Sequence, residues 1–270
     1  MVQKYVNQII KKGYTIIPNV ISDRECKKYK KLLEKTYDKY SDKYINSNEV
    51  GSLANKSLEK VVYNLHNKNL SWFKLFEHKT VVKILDKILK EGSYKNAEPY
   101  YLNNISARCP LQGNPGQQIH LDSNLPGVNY NIVTNVIWYF DDVNKENGTT
   151  IVVPGSHKLL RYADNSKKIK NQLYIKAKKG SVLILNANLW HGGSAKNNKS
   201  LRWALVLGYA RWFVKPSFDY MVNTPKKIFN KLTKKQKSIL GFDLIPPKDE
   251  FTRVTRRSKY FEKPKNYILK

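Results

Sequence analysis

Cysteine, acidic side chains and long apolar runs are all scarce in this chain. It has 270 residues and two cysteines, Cys26 and Cys109. Neither belongs to a CxxC pair, which excludes a zinc ribbon or a thioredoxin-like redox motif. Both are expected as free thiols in a reducing cytoplasm. No apolar run approaches the ~18 residues of a membrane-spanning helix. The opening MVQKYVNQIIKKGY has neither the apolar core nor the small-residue cleavage site of a secretion signal, and its pattern predicts a short amphipathic helix. Internal repeats, a clear linker and a recognised nucleic-acid-binding module are also missing. Asp and Glu number 21 against 49 Lys and Arg, so the formal net charge is +28. Such a surplus suggests an anionic partner: nucleic acid, a membrane surface or a small acidic substrate. Lysine dominates it, spread over nearly the whole chain beside abundant asparagine, so a compositional bias with solvated lysines explains it as well.

Hydrophobic residues make up 41% and charged residues 26% of the chain, ordinary values for a globular protein with a large core. A single domain is expected, with an N-terminal strand and helical layer over 1–99, a β-rich core over 100–214 and a basic C-terminal extension over 215–270. Gly13 to Ile21 reads as a strand ending at Pro18. Ser22 followed three residues later by Glu25 has capping-box spacing, and the helix it starts runs to about Tyr40. Cys26, Tyr29, Leu32, Leu33 and Thr36 form its apolar stripe. A second helix is predicted over Thr80 to Lys90, through Val81, Ile84, Leu85 and Ile88, and a third over Pro225 to Leu240. Between them, short β-branched and aromatic runs alternate with turn residues. Strands are predicted over Asn103–Arg108, Gln117–Asp122, Asn135–Phe140, Thr149–Val153, Gln172–Ile175, Ser181–Leu185 and Leu201–Phe213. That rhythm indicates an all-β sandwich or barrel.

The segment His120-Leu121-Asp122 places an imidazole and a carboxylate two residues apart, on one face of a strand. His191 follows a later strand. Two histidines and one carboxylate leave coordination positions open, an arrangement suited to non-haem iron(II) that must also admit O2 and a co-substrate. HxD alone is a weak signal, since a histidine in a β-rich chain is usually structural. Arg202 opens the apolar run Arg202-Trp-Ala-Leu-Val-Leu-Gly-Tyr-Ala210. A guanidinium buried there needs a partner, and its planar fork matches a carboxylate; the alternatives are a pairing with one of the protein's own acids or a head at the exposed start of the strand.

With His120-Leu-Asp122, the stretch Glu146-Asn-Gly-Thr-Thr-Ile-Val-Val-Pro-Gly-Ser-His157, His191-Gly-Gly and Arg202, the chain resembles the phytanoyl-CoA dioxygenase family over roughly Tyr14 to Pro216. The resemblance implies a double-stranded β-helix, a jelly-roll core flanked by helices. It implies iron(II) held by His120, Asp122 and His191, 2-oxoglutarate as co-substrate with its distal carboxylate on Arg202, and O2. It implies that Trp138 lines the co-substrate pocket, with core packing as the alternative role. Because Asp122 is retained, it favours hydroxylation over halogenation. The expected product set is hydroxylated substrate, succinate and CO2. Substrate contacts are expected from Arg108, Gln118, Asn131, Tyr139, Arg211 and Trp212, from the loop Ser123–Val133 and from the C-terminal segment. If basic residues face the mouth, a small anionic substrate follows. His157 is expected to be structural, and His66 and His78 to lie at the surface or on helices. Two rival readings are a catalytically silent binding protein on the same fold and a nucleic-acid-directed protein, the latter resting on the charge.

Overall fold

A computed structural model of the chain describes residues 2–92, 100–123 and 125–244. Ten strands carry the fold: β1 (Tyr14–Ile17), β2 (Glu59–Tyr63), β3 (Tyr100–Pro110), β4 (Gln117–His120), β5 (Val133–Tyr139), β6 (Thr150–Val152), β7 (Leu173–Tyr174), β8 (Val182–Asn186), β9 (His191–Gly193) and β10 (Ala204–Arg211). They form two antiparallel sheets. The larger runs β1-β8-β5-β10-β3-β2 and the smaller β4-β9-β6-β7. This is the jelly-roll architecture expected from the sequence.

Side chains alternate across the large sheet, so its two faces belong to two different cores. Val136, Trp138, Val182, Ile184, Leu205 and Leu207 face a helical layer. Ile137, Tyr139, Leu183, Leu185 and Ala204 face the small sheet, with Val152 and Leu189. Strands β5 and β10 are covered on both sides, which explains why their sequences are apolar runs with little alternation.

The helical layer is built from α1 (Val2–Lys12), α2 (Asp23–Tyr40), α3 (Phe73–Phe76) and α4 (Lys79–Leu89). The capping box of α2 forms as its sequence requires: Glu25 N–H donates to Ser22 Oγ, and the Ser22 N–H donates to the Glu25 carboxylate. Cys26, Tyr29, Leu33 and Thr36 are buried and Leu32 half-buried, so the stripe faces the sheet. Lysines point outward. On that sheet-facing side, Glu34 accepts from the indole of Trp203 and pairs with Lys60 at 3.2 Å, tying α2 to the sheet edge.

One strand was not foreseen, and three expectations need amending here. The strand β2 had no sequence forecast, because Glu59-Lys-Val-Val-Tyr63 is short and half polar. The helix predicted over Pro225–Leu240 is two helices, since Thr233 caps a new start with a second capping box to Gln236. The segment after Lys215 is no mere extension over its described part, because Tyr220, Phe229, Leu232, Leu240 and Phe242 belong to the helix-side core. Residues 245–270 lie outside the described part. Finally, His66, expected at the surface or on a helix, lies in a short 3-10 helix and is fully buried. Its Nε2 lies 3.1 Å from Thr224 Oγ1, and its ring meets Tyr220 edge-on, so it bolts the C-terminal helices to the turn after β2.

Burial, with help from the nearby Lys68 charge, pushes the His66 imidazole down to about 3. The unfolded chain therefore takes up a proton near pH 6.5 that the folded chain refuses, and stability falls as pH drops from 6.5 toward 3. Between pH 7 and pH 5 the protein is expected to lose about 2 kcal/mol more than its His66→Gln variant, read by urea denaturation at both pH values. Equal losses would show that His66 does not carry this term.

Candidate metal centre

Strand β4 pairs with β9 through an irregularity: Gln117 stands opposite Gly193 and His120 opposite His191. Three steps along β4 match two along β9, so β4 holds one extra residue, a bulge. The two histidines thus face each other across the small sheet, their ring centroids 4.5 Å apart. Asp122 follows β4, anchored by its N–H to the Ala187 carbonyl at 2.9 Å. The carboxylate oxygens lie 3.5 Å from His120 Nε2 and 3.2 Å from His191 Nε2. One ligand atom from each of the three residues lies within 4.8 Å of the others.

Each imidazole is fixed by its own chain. His120 Nδ1–H donates to the Gln118 carbonyl and His191 Nδ1–H to the Leu189 carbonyl, each at 2.8 Å. A carbonyl only accepts, so Nδ1 carries a proton in each ring, and Nε2, which faces Asp122, is the nitrogen that would exchange its bond to the carboxylate for a cation. Burial alone would raise the Asp122 carboxyl. The imidazoles, His191 foremost, outweigh that and hold it well below the ordinary carboxylate range. Hydrogen bonding to Asp122 in turn raises His120. The donor set, two imidazole nitrogens and one carboxylate oxygen facing one cavity, fits a divalent metal.

That cavity, of ≈ 530 Å³, lies between the sheets and includes Arg202 in its wall. Arg202 is buried and precedes β10. Its guanidinium donates to the Gly148 carbonyl and, at 3.4 Å, to the Asn147 carbonyl. No carboxylate of the described residues is paired with it. Burial pushes its pKa down, the sign of a cation held in a dry site. The Glu146-Asn-Gly-Thr stretch gains a physical meaning here. Gly148 has φ +79, a left-handed conformation that lets the turn present its carbonyls, and a Cβ there would come within 3.0 Å of Pro110.

The other expected site residues scatter. Arg108 lines the cavity, but its guanidinium is taken by Glu59 through two bonds of 2.8 and 2.7 Å. Gln118 points to solvent, because the β4 bulge reverses the alternation and brings Gln117 to the cavity instead. Trp138 faces the helical layer, edge-on to the half-buried His78, so it does not line the pocket. Its neighbour Ile137 does. Tyr139 is buried beside Arg202 in the inter-sheet core, its hydroxyl 3.2 Å from Thr150 Oγ1, and burial raises it to about 12. Arg211 and Asn131 lie away from the metal centre. There the Arg211 guanidinium donates to the Asn131 and Glu91 carbonyls and clasps the loop before β5. Trp212 is exposed beyond the end of β10. From the loop Ser123–Val133, Val128, Ile132 and Val133 pack with Ala187 and Ala210 instead of walling the cavity. The half-buried His157 contacts the Ile10 carbonyl at 3.2 Å and tethers α1, a structural position.

Sequence reasoning missed several wall residues. Asn135 donates to Asp122 from the middle of β5. Asn104 and Ser106 project from β3 and Tyr63 from β2, while Ser217 and Phe218 come from the C-terminal segment, as expected of that segment though not of these residues. A polar residue inside a β-branched run was the available signal for Asn135.

A jelly roll whose sheets enclose two histidines, one carboxylate and a buried arginine is the architecture of the iron- and 2-oxoglutarate-dependent oxygenases. The profile of the family described as phytanoyl-CoA dioxygenase matches residues 10–204, and the chain belongs to that family. It is 22% identical over 196 residues to the uncharacterized protein Rv1501 of Mycobacterium tuberculosis, covering 72% of this chain and 68% of that one. It is 27% identical over 149 residues to the dioxygenase af480 of Aspergillus fumigatus, covering 53% and 48%. Among solved structures, HygX from Streptomyces hygroscopicus with nickel, 2-oxoglutarate and hygromycin B superimposes with a TM-score of 0.63 at 16% identity, over 80% of this chain and 89% of that one. The epimerase SnoN in complex with Fe3+, alpha ketoglutarate and nogalamycin RO gives 0.63 at 16% identity, over 83% and 90%.

The close β4–β9 approach depends on Gly192, where a Cβ would stand 2.6 Å from the Gln117 carbonyl oxygen. Gly192→Ala should therefore push the two strands apart and weaken Co(II) binding at least about tenfold, the lower end of what displaced ligand geometry costs. Isothermal titration with Co(II) measures this, and an unchanged affinity would show that the pairing does not set the site.

Proposed function

We propose that the protein is an iron(II)- and 2-oxoglutarate-dependent dioxygenase that hydroxylates a small organic substrate, with release of succinate and CO2. The observation that carries this reading is Arg202. A buried guanidinium, bonded among the described residues to carbonyl oxygens and lining the same cavity as the His-Asp-His cluster, suits the distal carboxylate of a dicarboxylate. His120, Asp122 and His191 would hold the metal. When bound, iron and 2-oxoglutarate supply activation of O2 and the two electrons that hydroxylation needs. The chain supplies the rest. The Nδ1–H bonds keep both imidazoles in the ligating tautomer, and Arg202 orients the co-substrate. Ile137, Ala204 and Val206 give that part of the cavity a small, apolar wall that excludes water. The retained Asp122 supports hydroxylation over halogenation.

The cavity's charges bear on the substrate. Among its described wall residues the basic side chains outside the metal cluster are Arg108, neutralised by Glu59, and Arg202, reserved for the co-substrate. Among these described wall residues an anionic substrate would find no cation beyond the one reserved for the co-substrate. Tyr63, Asn104, Ser106 and Gln117 offer neutral hydrogen-bonding groups, and Phe218 an apolar face. This favours a neutral, hydroxyl- or amide-bearing molecule over the anionic one suggested by net charge. The similar structures of HygX with hygromycin B and of SnoN with nogalamycin RO support a cavity that takes an organic small molecule. No helix among the described residues is long and apolar enough to cross a membrane. Both cysteines are buried free thiols, which fits a reducing, cytoplasmic setting.

The test is succinate formation from 2-oxoglutarate by anaerobically reconstituted Fe(II) protein after admission of O2. Wild type should form succinate and His191→Ala should not. An Arg202→Ala variant should raise the KM for 2-oxoglutarate by about 10–100-fold, the worth of a charged hydrogen-bonded contact of ~1.5–3 kcal/mol. An unchanged KM would refute that role. Trp138→Phe, by contrast, should lower Tm by loosening the helix-side core and leave this KM within about twofold, since conservative core changes act on stability. A large KM effect would return Trp138 to the pocket.

A further inference from the structure

Asn135 sits in the middle of β5, opposite Gly208 of β10 and Leu185 of β8. The other residues of that strand are Val133, Thr134, Val136, Ile137, Trp138 and Tyr139, all suited to a buried strand. Asparagine is among the residues least suited to it, and a buried amide costs free energy unless it is bonded. Only 7% of Asn135 is exposed. Its Nδ2–H donates to Asp122 Oδ2, so the amide is spent on the metal centre and not on the core.

Asp122 needs such a partner. It follows the irregular end of β4, and its main chain is anchored by one N–H bond to Ala187. Nothing in that anchorage fixes the rotation of its carboxylate. A carboxylate binds a metal through one oxygen or through two, and the second mode consumes an extra coordination position. Three protein ligands, a chelating co-substrate and O2 would together fill six coordination positions. The amide donor takes a lone pair of Oδ2, which also lies 3.2 Å from His191 Nε2, while Oδ1, 3.5 Å from His120 Nε2 and without the amide, would be the oxygen left to a metal.

We infer that Asn135 is a positioning residue that keeps Asp122 a one-oxygen ligand and so holds a coordination position open. This rests on the metal-site reading above. The amide reaches the site only because β5 lies in the large sheet, across the cavity from β4, so each sheet contributes to one ligand's geometry.

Co(II) titration followed by visible absorption tests the inference on wild type, Asn135→Ala and Asn135→Leu. The leucine variant keeps the volume and removes the donor. Both variants should bind Co(II) about 10–100-fold more weakly, as loss of an outer partner of a ligand does, and with an altered ligand-field spectrum. A leucine variant that binds within about twofold of wild type with an unchanged spectrum overturns the role of Asn135 alone. Failure of wild type to bind Co(II) overturns the metal site itself. Should neither variant fold, the unaltered chain still decides. Difference infrared spectra of 13C-aspartate-labelled protein with and without Co(II) should show a one-oxygen carboxylate, and a two-oxygen signature sinks the inference.

Discussion

The pairing of β4 with β9 is the constraint on which the site depends. Two short strands, one with a bulge and the other with two glycines, approach closely enough to set His120 directly opposite His191. Without the bulge, the alternation of a regular strand would leave the rings out of register by one residue and turn the wrong glutamine inward. The main-chain carbonyls of Gln118 and Leu189 then complete the arrangement by holding both Nδ1 protons, so the backbone that brings the rings together also selects their tautomer. Strand geometry, tautomer and ligand direction thus follow from one local feature.

Charge inside the molecule is managed separately from charge outside it. The surface carries the lysine excess, while the cavity is nearly balanced: Arg108 against Glu59, and the histidines around Asp122. Arg202 is the exception, a buried cation resting on the carbonyls of a glycine turn. Such an unbalanced group costs stability unless a ligand supplies the missing charge, which is the usual reason for an enzyme to keep one. The net charge of +28 is therefore a poor guide to what enters the cavity.

The two sheets divide labour. The small one carries the histidines on short, glycine-containing strands that could not hold position alone. The large one, sealed on its far side by α1, α2 and α4, is the rigid wall from which Asn135, Ile137, Ala204 and Arg108 project. Residues Phe229, Leu240 and Phe242 from the C-terminal segment add to that seal, and Phe218 brings the same segment to the cavity mouth.

Periodicity and motif determined most of the elements and the candidate ligand set. The capping box at Ser22, the stripe of α2, the apolar runs of β5, β8 and β10, and the HxD, His191 and Arg202 positions could be read directly, because each depends on residues near in sequence or on a strongly constrained motif. Where side chains point was decided only by the tertiary structure. The β4 bulge exchanged Gln118 for Gln117. The parity of β5 sent Trp138 to the helices and Ile137 and Asn135 to the cavity. Glu59, from a strand too short to foresee, claimed Arg108. These outcomes depend on strand register and on which face meets which layer, and register is fixed by partners distant in the chain, which local patterning does not encode.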